Sequence, residues 1–544
     1  MVSACGGDAE PGKKTGLLSG WFEREPAPEA ETGCARPVGS KLVFFGVVAA
    51  DEPVAVKVAE DVLRYGGTAA DAAVALALTL TVTKPSMASL GGGGVCIVHD
   101  PAAKYTEVID FIASPGSPVA GADRPSAVPT LLRGLAALHA RYGQSDIRAL
   151  LAGAEKKARF GAIVTRAAAL DLALAAKPLF DDPEARRIFG HANGAPVGEG
   201  VWLTQPDLAD TYATLRTAGI SSFYKGAFAQ RLVAAVTAAG GTLTLDDLRR
   251  YLPRWRKAVL VPYRDQVLAF VPPPAGVGVG GALMWNMLAQ NDRYQAADPA
   301  ARAHLLVEAA KRAFAARPRW LGADDASDYS FTNRLVAETL MSDFDPARAT
   351  PVDALDVQPR AMPENPAGTG FVVVDLVGQA VACTLTNYGF YGTGRVASGT
   401  GILLAGAPGQ GDRNALSLGP VLTYDRELRS FRLAVAGSGG AATLTASMTV
   451  LAASILDGSV LDKALRLPRV HHGGLPDVVL AEKSVPEAVI GTLRGQGHQV
   501  TVVPDLGRVN AAECPLGLDA RSDEIACFVH ADPRGFGIAA EAER

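Results

Sequence analysis

Few features of this chain point to nucleic acid, metal or membrane. Among 544 residues there are six cysteines, Cys5, Cys34, Cys96, Cys383, Cys514 and Cys527, with no Cys-x-x-Cys pair and no metal-ligand spacing. Zinc is therefore not expected, and nothing calls for a cofactor. No basic stripe interleaved with aromatics is present, and the net charge is −4 with a pI near 6.1. That balance excludes a nucleic-acid partner; the most basic stretch, Asp246–Lys257, reads as a helix end and an exposed loop. Long apolar runs are missing too. Ala72–Val82 stops well short of the roughly 20 residues a membrane-spanning helix needs.

What is present suits a compact soluble protein, with 48% hydrophobic and 20% charged residues. The first forty residues differ, being rich in Gly, Pro, Glu and Ala without periodicity, and read as a flexible leader at 1–40. Within it, Val2-Ser3-Ala4-Cys5 looks like the end of a bacterial lipoprotein signal whose cysteine receives a lipid. The charged and apolar regions that should precede it are missing, and a chance cysteine is the other reading. The expectation is a cell-envelope or periplasmic protein attached to the membrane only through that lipid, or a cytoplasmic one if the start is as written. Cys514 and Cys527 flank the polar stretch Gly517–Glu524, and either pair in an oxidising compartment or stay as two buried thiols.

Asn365–Gly406 is the most informative segment. Two extended runs, Phe371–Val374 and Ala380–Thr384, flank Gly378, and a Gly/Thr-rich loop follows. A small hydroxyl residue near the start of the first run would sit at a sheet end. Cys383 lies in the second run, where it serves as a replacement nucleophile or, more in keeping with its type, a small buried apolar residue.

This segment resembles the active-site region of the gamma-glutamyltranspeptidase family, whose members cut their own backbone before a threonine that then acts as nucleophile. Further elements follow in family order: Gly66–Gly94, Phe223-Tyr224-Lys225-Gly226, Gly240–Leu248, Tyr263-Arg264 with Pro272-Pro273-Pro274, Glu308–Gly322, Gly437–Gly440, Pro468–His472 and Asp532-Pro533-Arg534. The resemblance spans roughly Lys41 to Ile538. It implies an α/β fold, the four-layer αββα sandwich of the N-terminal nucleophile hydrolases. Residues 41–367 would be a large-subunit-like region and 368–544 a small-subunit-like region of one interlocked fold. Helices are expected at Leu131–Ala140 and Ala227–Ala239. His471-His472 reads as a structural signature, because adjacent strand residues point to opposite faces.

The family's chemistry needs a hydroxyl and the amine freed by cleavage on one residue. Counting back from Gly378 puts the nucleophile position at Gly368, which has no hydroxyl, and the family's His position at Gly370. Thr369 is the candidate left, one place late, and the period of two turns it to the other face unless a bulge intervenes. The arginine that clamps the donor carboxylate falls on Ile112, and the family's Asn on Tyr388, with Asn387 able to serve if the loop shifts by one. Positions that hold the donor's amino group fall on Ala407 and Gln410, and the paired serines on Leu416 and Ser417. Gly439 and Gly440 match the oxyanion-hole pair, and Thr386 matches the threonine that hydrogen-bonds the nucleophile.

The expectation is a catalytically degenerate member acting as a binding or scaffold protein, with a protein partner. The alternative is a self-processing threonine hydrolase or acyltransferase that uses Thr369 on a small-molecule amide or peptide other than a standard glutamyl donor.

Overall fold

The computed structural model describes residues 43–317, 332–355, 367–409, 417–518 and 526–543. The leader and the readings of Cys5 and Cys34 lie outside them.

Two helices follow the opening strand Phe44–Ala50. Pro53–Arg64 starts on Glu52, whose carboxylate accepts from the Ala55 amide at 2.8 Å. Ala69–Thr83 starts with a reciprocal capping box, Thr68 and Asp71 each accepting the other's backbone N–H. All fifteen residues of the second helix are buried, as its apolar sequence on every face requires. Its threonines do not leave orphan hydroxyls: Thr79 and Thr83 donate to the carbonyls of Ala75 and Thr79.

Two sheets stack behind these helices. The first has seven strands in the order Ile538–Glu543, Phe44–Ala50, Gly368–Asp375, Ala380–Thr386, Gly93–Asp100, Tyr105–Phe111 and Arg254–Lys257. The second has six, in the order Phe528–His530, Arg508–Glu513, Phe431–Ser438, Val421–Asp425, Gln266–Phe270 and Val259–Tyr263. Alternation along Gly368–Asp375 defines the layers. Phe371 and Val373 join the helix-side core with Leu76, Leu80 and Leu385, whereas Val372 and Val374 meet Leu422, Ala434 and Ala436 between the sheets. On the far side, Leu433 and Val435 pack against the helices Gly276–Leu288, Pro299–Ala315 and Ala442–Leu451. The result is the four-layer αββα sandwich. At Gly370 the sheets approach so closely that a Cβ would lie 2.5 Å from the Ala436 carbonyl oxygen, which only glycine permits.

Strands from both sides of position 367 alternate in the first sheet. Cys383 stands directly opposite Cys96 on the neighbouring strand, and the two form a disulfide; Cys514 and Cys527 form another. The helices expected from the sequence run over Leu131–Tyr142 and Ala227–Ala238. One expectation needs correction. Arg254–Lys257 is an edge strand and not an exposed loop: it pairs with Glu107–Asp110, and Arg256 Nε donates to Asp110 Oδ2 at 2.7 Å. Among the described residues no helix is long and apolar enough to cross a membrane.

Candidate active site

The site is set by the register of two central strands. Gly368 lies opposite Thr386 and Thr369 opposite Leu385, in a ladder that runs unbroken to Ala380 and Val374. No bulge corrects the one-residue slip. Directly opposed residues share a face, so Thr369 follows Leu385, Phe371 and Val373 toward the helices, while Gly368 and Thr386 share the opposite face. The Thr369 hydroxyl is fully buried and donates to Asp51 Oδ2 at 2.9 Å. The other Asp51 oxygen accepts from Asn510 Nδ2 at 2.8 Å, and that amide also donates to the Gly370 carbonyl at 2.8 Å. Thr369 is thus committed to a buried carboxylate that ties the two sheets together.

Thr386 has a different role. Its hydroxyl donates to the carbonyl oxygen of Ala367 at 2.5 Å and accepts from the Tyr388 amide at 2.9 Å. A hydroxyl therefore rests on the Ala367–Gly368 peptide, the bond immediately before the position that the resemblance gives to the nucleophile. Space for a side chain exists there, since a Cβ on Gly368 would meet only the Leu385 carbonyl oxygen, at 3.2 Å. Gly439 and Gly440 end the strand Phe431–Ser438, with φ of +124° and +65°, and lead into the helix Ala442–Leu451. The close approach of Gly439 to Gly507, 2.6 Å from a notional Cβ to the Gly507 Cα, excludes any side chain there.

An aromatic ring fills the place that the resemblance assigns to the donor side. Tyr388 is buried with φ +52°, its hydroxyl accepts from the Ala113 amide at 2.7 Å, and its ring packs with Ile112, Ala113, Ala127 and Ala405. Burial pushes its phenol well above the ordinary tyrosine range. A neutral aromatic and an isoleucine thus stand at the positions to which the resemblance assigns an amide and a guanidinium. Asn387 turns elsewhere, donating through Nδ2 to the Pro85 carbonyl at 2.9 Å. Ala407 is buried, Ser417 is half-buried ahead of the strand Val421–Asp425, and Gln410 and Leu416 lie outside the described residues. Cys383 must be withdrawn as a replacement nucleophile, because its sulfur is bonded to Cys96 and offers no thiolate.

A second polar cluster lies on the far helices. His304, Glu308 and His498 are buried with ligand atoms within 4.8 Å of one another. Glu308 is already matched by Lys311 Nζ at 3.1 Å and Arg312 at 2.5 Å, and His304 Nδ1 is 2.8 Å from His498 Nε2. Two cations beside the only carboxylate of the set disfavour a divalent ion there. His471 and His472 go to separate partners, Thr445 Oγ1 at 2.9 Å and Asp477 Oδ1 at 3.0 Å.

The gamma-glutamyltranspeptidase profile matches residues 55–410 and 407–541. The chain belongs to the gamma-glutamyltranspeptidase family. It is 28% identical to the glutathione hydrolase proenzyme of Escherichia coli (strain K12), over 90% of this chain and 93% of that protein. It is likewise 28% identical to the acylase ACY 1 proenzyme of Pseudomonas sp. (strain V22), over 86% and 89%. Among solved structures, cephalosporin acylase from Bacillus halodurans superposes with a TM-score of 0.78 at 22% identity, covering 94% of this chain and 99% of that one. That likeness gives the N-terminal nucleophile hydrolase fold. Against the family pattern, two features escape a reading of sequence alone: Asp51 as the partner of Thr369, and Tyr388 as a filler of the donor side. The first had no signal beyond an acidic residue after an apolar strand. The second was visible only as a departure from an expected Asn.

Proposed function

We propose that this family member stays one chain, hydrolyses no gamma-glutamyl donor, and uses the sandwich as a binding or scaffold protein. The observation that carries this reading is the pairing of Gly368 with Thr386, which leaves the nucleophile position without a hydroxyl while Thr369 is held on Asp51 across the strand. An N-terminal nucleophile needs the hydroxyl on the residue whose amine cleavage frees. Tyr388 and Ile112 add to it, because neither side chain offers the carboxylate of a zwitterionic donor a cation. Each missing charge-assisted hydrogen bond removes about 1.5–3 kcal/mol of donor affinity.

The retained Thr386 contact and glycine pair favour a second reading, an amide hydrolase or acyltransferase acting through Thr369, in keeping with relatives named as glutathione hydrolase and acylase. That contact falls on the carbonyl of Ala367 and not on that of Gly368, which weakens it. The test is incubation of the purified protein with glutathione and with N-acyl amides, following released amine. The proposal expects no turnover above a heat-denatured control; turnover abolished by Thr369→Ala would establish the second reading.

A further inference from the structure

One surface exposes more apolar side chain than the packing uses. Phe160 ends the helix Ile147–Phe160, and Ile163 and Trp202 face each other across the short ribbon Ala162–Ile163 with Trp202–Leu203. Directly opposed residues share a face. Ala162 takes the inward side, so Ile163 and Trp202 project outward, 44% and 62% exposed, beside Phe160 at 66%. The Trp202 indole donates to the Phe160 carbonyl at 2.6 Å, which fixes the ring in this group. The ribbon leads into the helix Arg166–Leu179. Its inner stripe is Ala167, Asp171, Leu172, Ala175 and Leu179, yet Leu170 and Leu174, one turn apart on the outer face, are 44% and 81% exposed.

Charge distinguishes this face further. Ile147–Leu179 carries six Lys/Arg against two Asp/Glu, in a chain whose net charge is −4. Asp171 is buried against Lys84, Glu155 pairs with Arg159 and Arg216, and Asp210 pairs with Arg159, which leaves Glu199, three residues before Trp202, as the exposed acid beside the ribbon. Lys156, Lys157, Arg166 and Lys177 have no acidic partner among the described residues, although Arg166 lies over the Phe536 ring, 5.1 Å from its centroid. Exposed Trp, Phe and Leu rimmed by cations that lack acidic partners suit a surface that is apolar beneath and anionic above.

We propose that this face docks on anionic lipid bilayers, with Leu174 and Trp202 entering the headgroup region and the surrounding lysines and arginine meeting lipid phosphates. A second copy of the chain fits less well, since a two-fold contact would set the same cations against themselves. Membrane docking here is independent of whether the chain is cut.

The experiment uses the full chain carrying Cys5→Ser, so that no lipid on the leader contributes. It is floated with vesicles of phosphatidylcholine alone and of phosphatidylcholine mixed with phosphatidylglycerol. Binding is expected to the mixed vesicles only, to weaken as salt rises, and to fall about tenfold or more in the double variant Leu174→Glu, Trp202→Glu. Leu260→Glu, at an exposed site on the edge strand Val259–Tyr263, controls for added charge and should float like the parent. Circular dichroism checks that each variant is folded. No binding to mixed vesicles, equal binding to neutral ones, or undiminished binding by the folded double variant overturns the proposal. So does a solution dimer that the same double variant dissociates, which would give the face to a second copy.

Discussion

Replacing Gly368 by threonine would put a hydroxyl where the fold has kept room for one. The new Cβ lies 3.2 Å from the Leu385 carbonyl oxygen, a contact that a shift of a few tenths of an ångström relieves. A β-branched residue in a strand gains up to about 1 kcal/mol over glycine. The variant should therefore fold with stability within about 1 kcal/mol of the parent. Its hydroxyl would sit on the face it shares with Thr386, whose own hydroxyl donates to the Ala367 carbonyl at 2.5 Å. Attack on that carbonyl would move the Ala367 acyl group from the amide nitrogen of residue 368 to its side-chain oxygen. Water then releases the ester and leaves a free amine on the new threonine. A donor on the developing oxyanion is worth about 2.7–4 kcal/mol, so adding Thr386→Ala to Gly368→Thr should slow cleavage roughly 10²–10³-fold. The assay is a denaturing gel with and without reductant, and mass spectrometry of the fragment N-termini. Without reductant the pieces should migrate together, because Cys96 and Cys383 lie on opposite sides of the cut; with reductant they separate as 1–367 and 368–544. A folded Gly368→Thr protein that stays intact would refute the claim that the missing hydroxyl is what silences this site.

Other perturbations follow from the same contacts. Thr369→Ala removes one of the two side-chain donors on buried Asp51, and should lower stability by about 1–3 kcal/mol in chemical denaturation with no effect on chain integrity; an unchanged midpoint would contradict the geometry. Cys96→Ala with Cys383→Ala removes a crosslink between residues 287 positions apart, and should cost about 2–5 kcal/mol, read as a lowered Tm under non-reducing conditions with Cys514–Cys527 intact in both proteins; an unchanged Tm would contradict it. Burial pushes the Asp375 carboxyl up to about 6, although the amides of Ala69, Val377 and Gln379 donate to it. Its folded value lies above the unfolded one of about 3.9, so its contribution is full below about pH 4 and is lost as pH rises through about 6. Asp375→Asn keeps an acceptor and removes the titration. Its Tm relative to the parent should therefore rise from pH 4 to pH 7, by the equivalent of up to about 3 kcal/mol; a flat difference would show the carboxyl to be unperturbed.

Much of this could be read from sequence because the signals were local. The assignment of Gly368 rested on the family's spacing back from the turn glycine Gly378, and the period of two then turned Thr369 to the other face from Gly368, as the ladder has it. The helices expected at Leu131–Ala140 and Ala227–Ala239 were equally plain. What escaped was set by neighbours far apart in the chain. Cys96 and Cys383 pair only because the strand order brings Gly93–Asp100 beside Ala380–Thr386, whereas Cys514 and Cys527, thirteen residues apart, were open to a local reading. Tyr388 gains its place from the Ala113 amide, two residues beyond the end of another strand. Arg254–Lys257 was misread because its arginines suggested solvent, yet Asp110 on the adjacent strand gives Arg256 a partner and the sheet an edge.

The intact mass of the purified protein under reducing, denaturing conditions tests the central claim most directly. A single species spanning both sides of position 368 is the predicted result. A pair of fragments, the smaller beginning at Thr369 and absent from a Thr369→Ala variant, would contradict it and make Thr369 a working nucleophile.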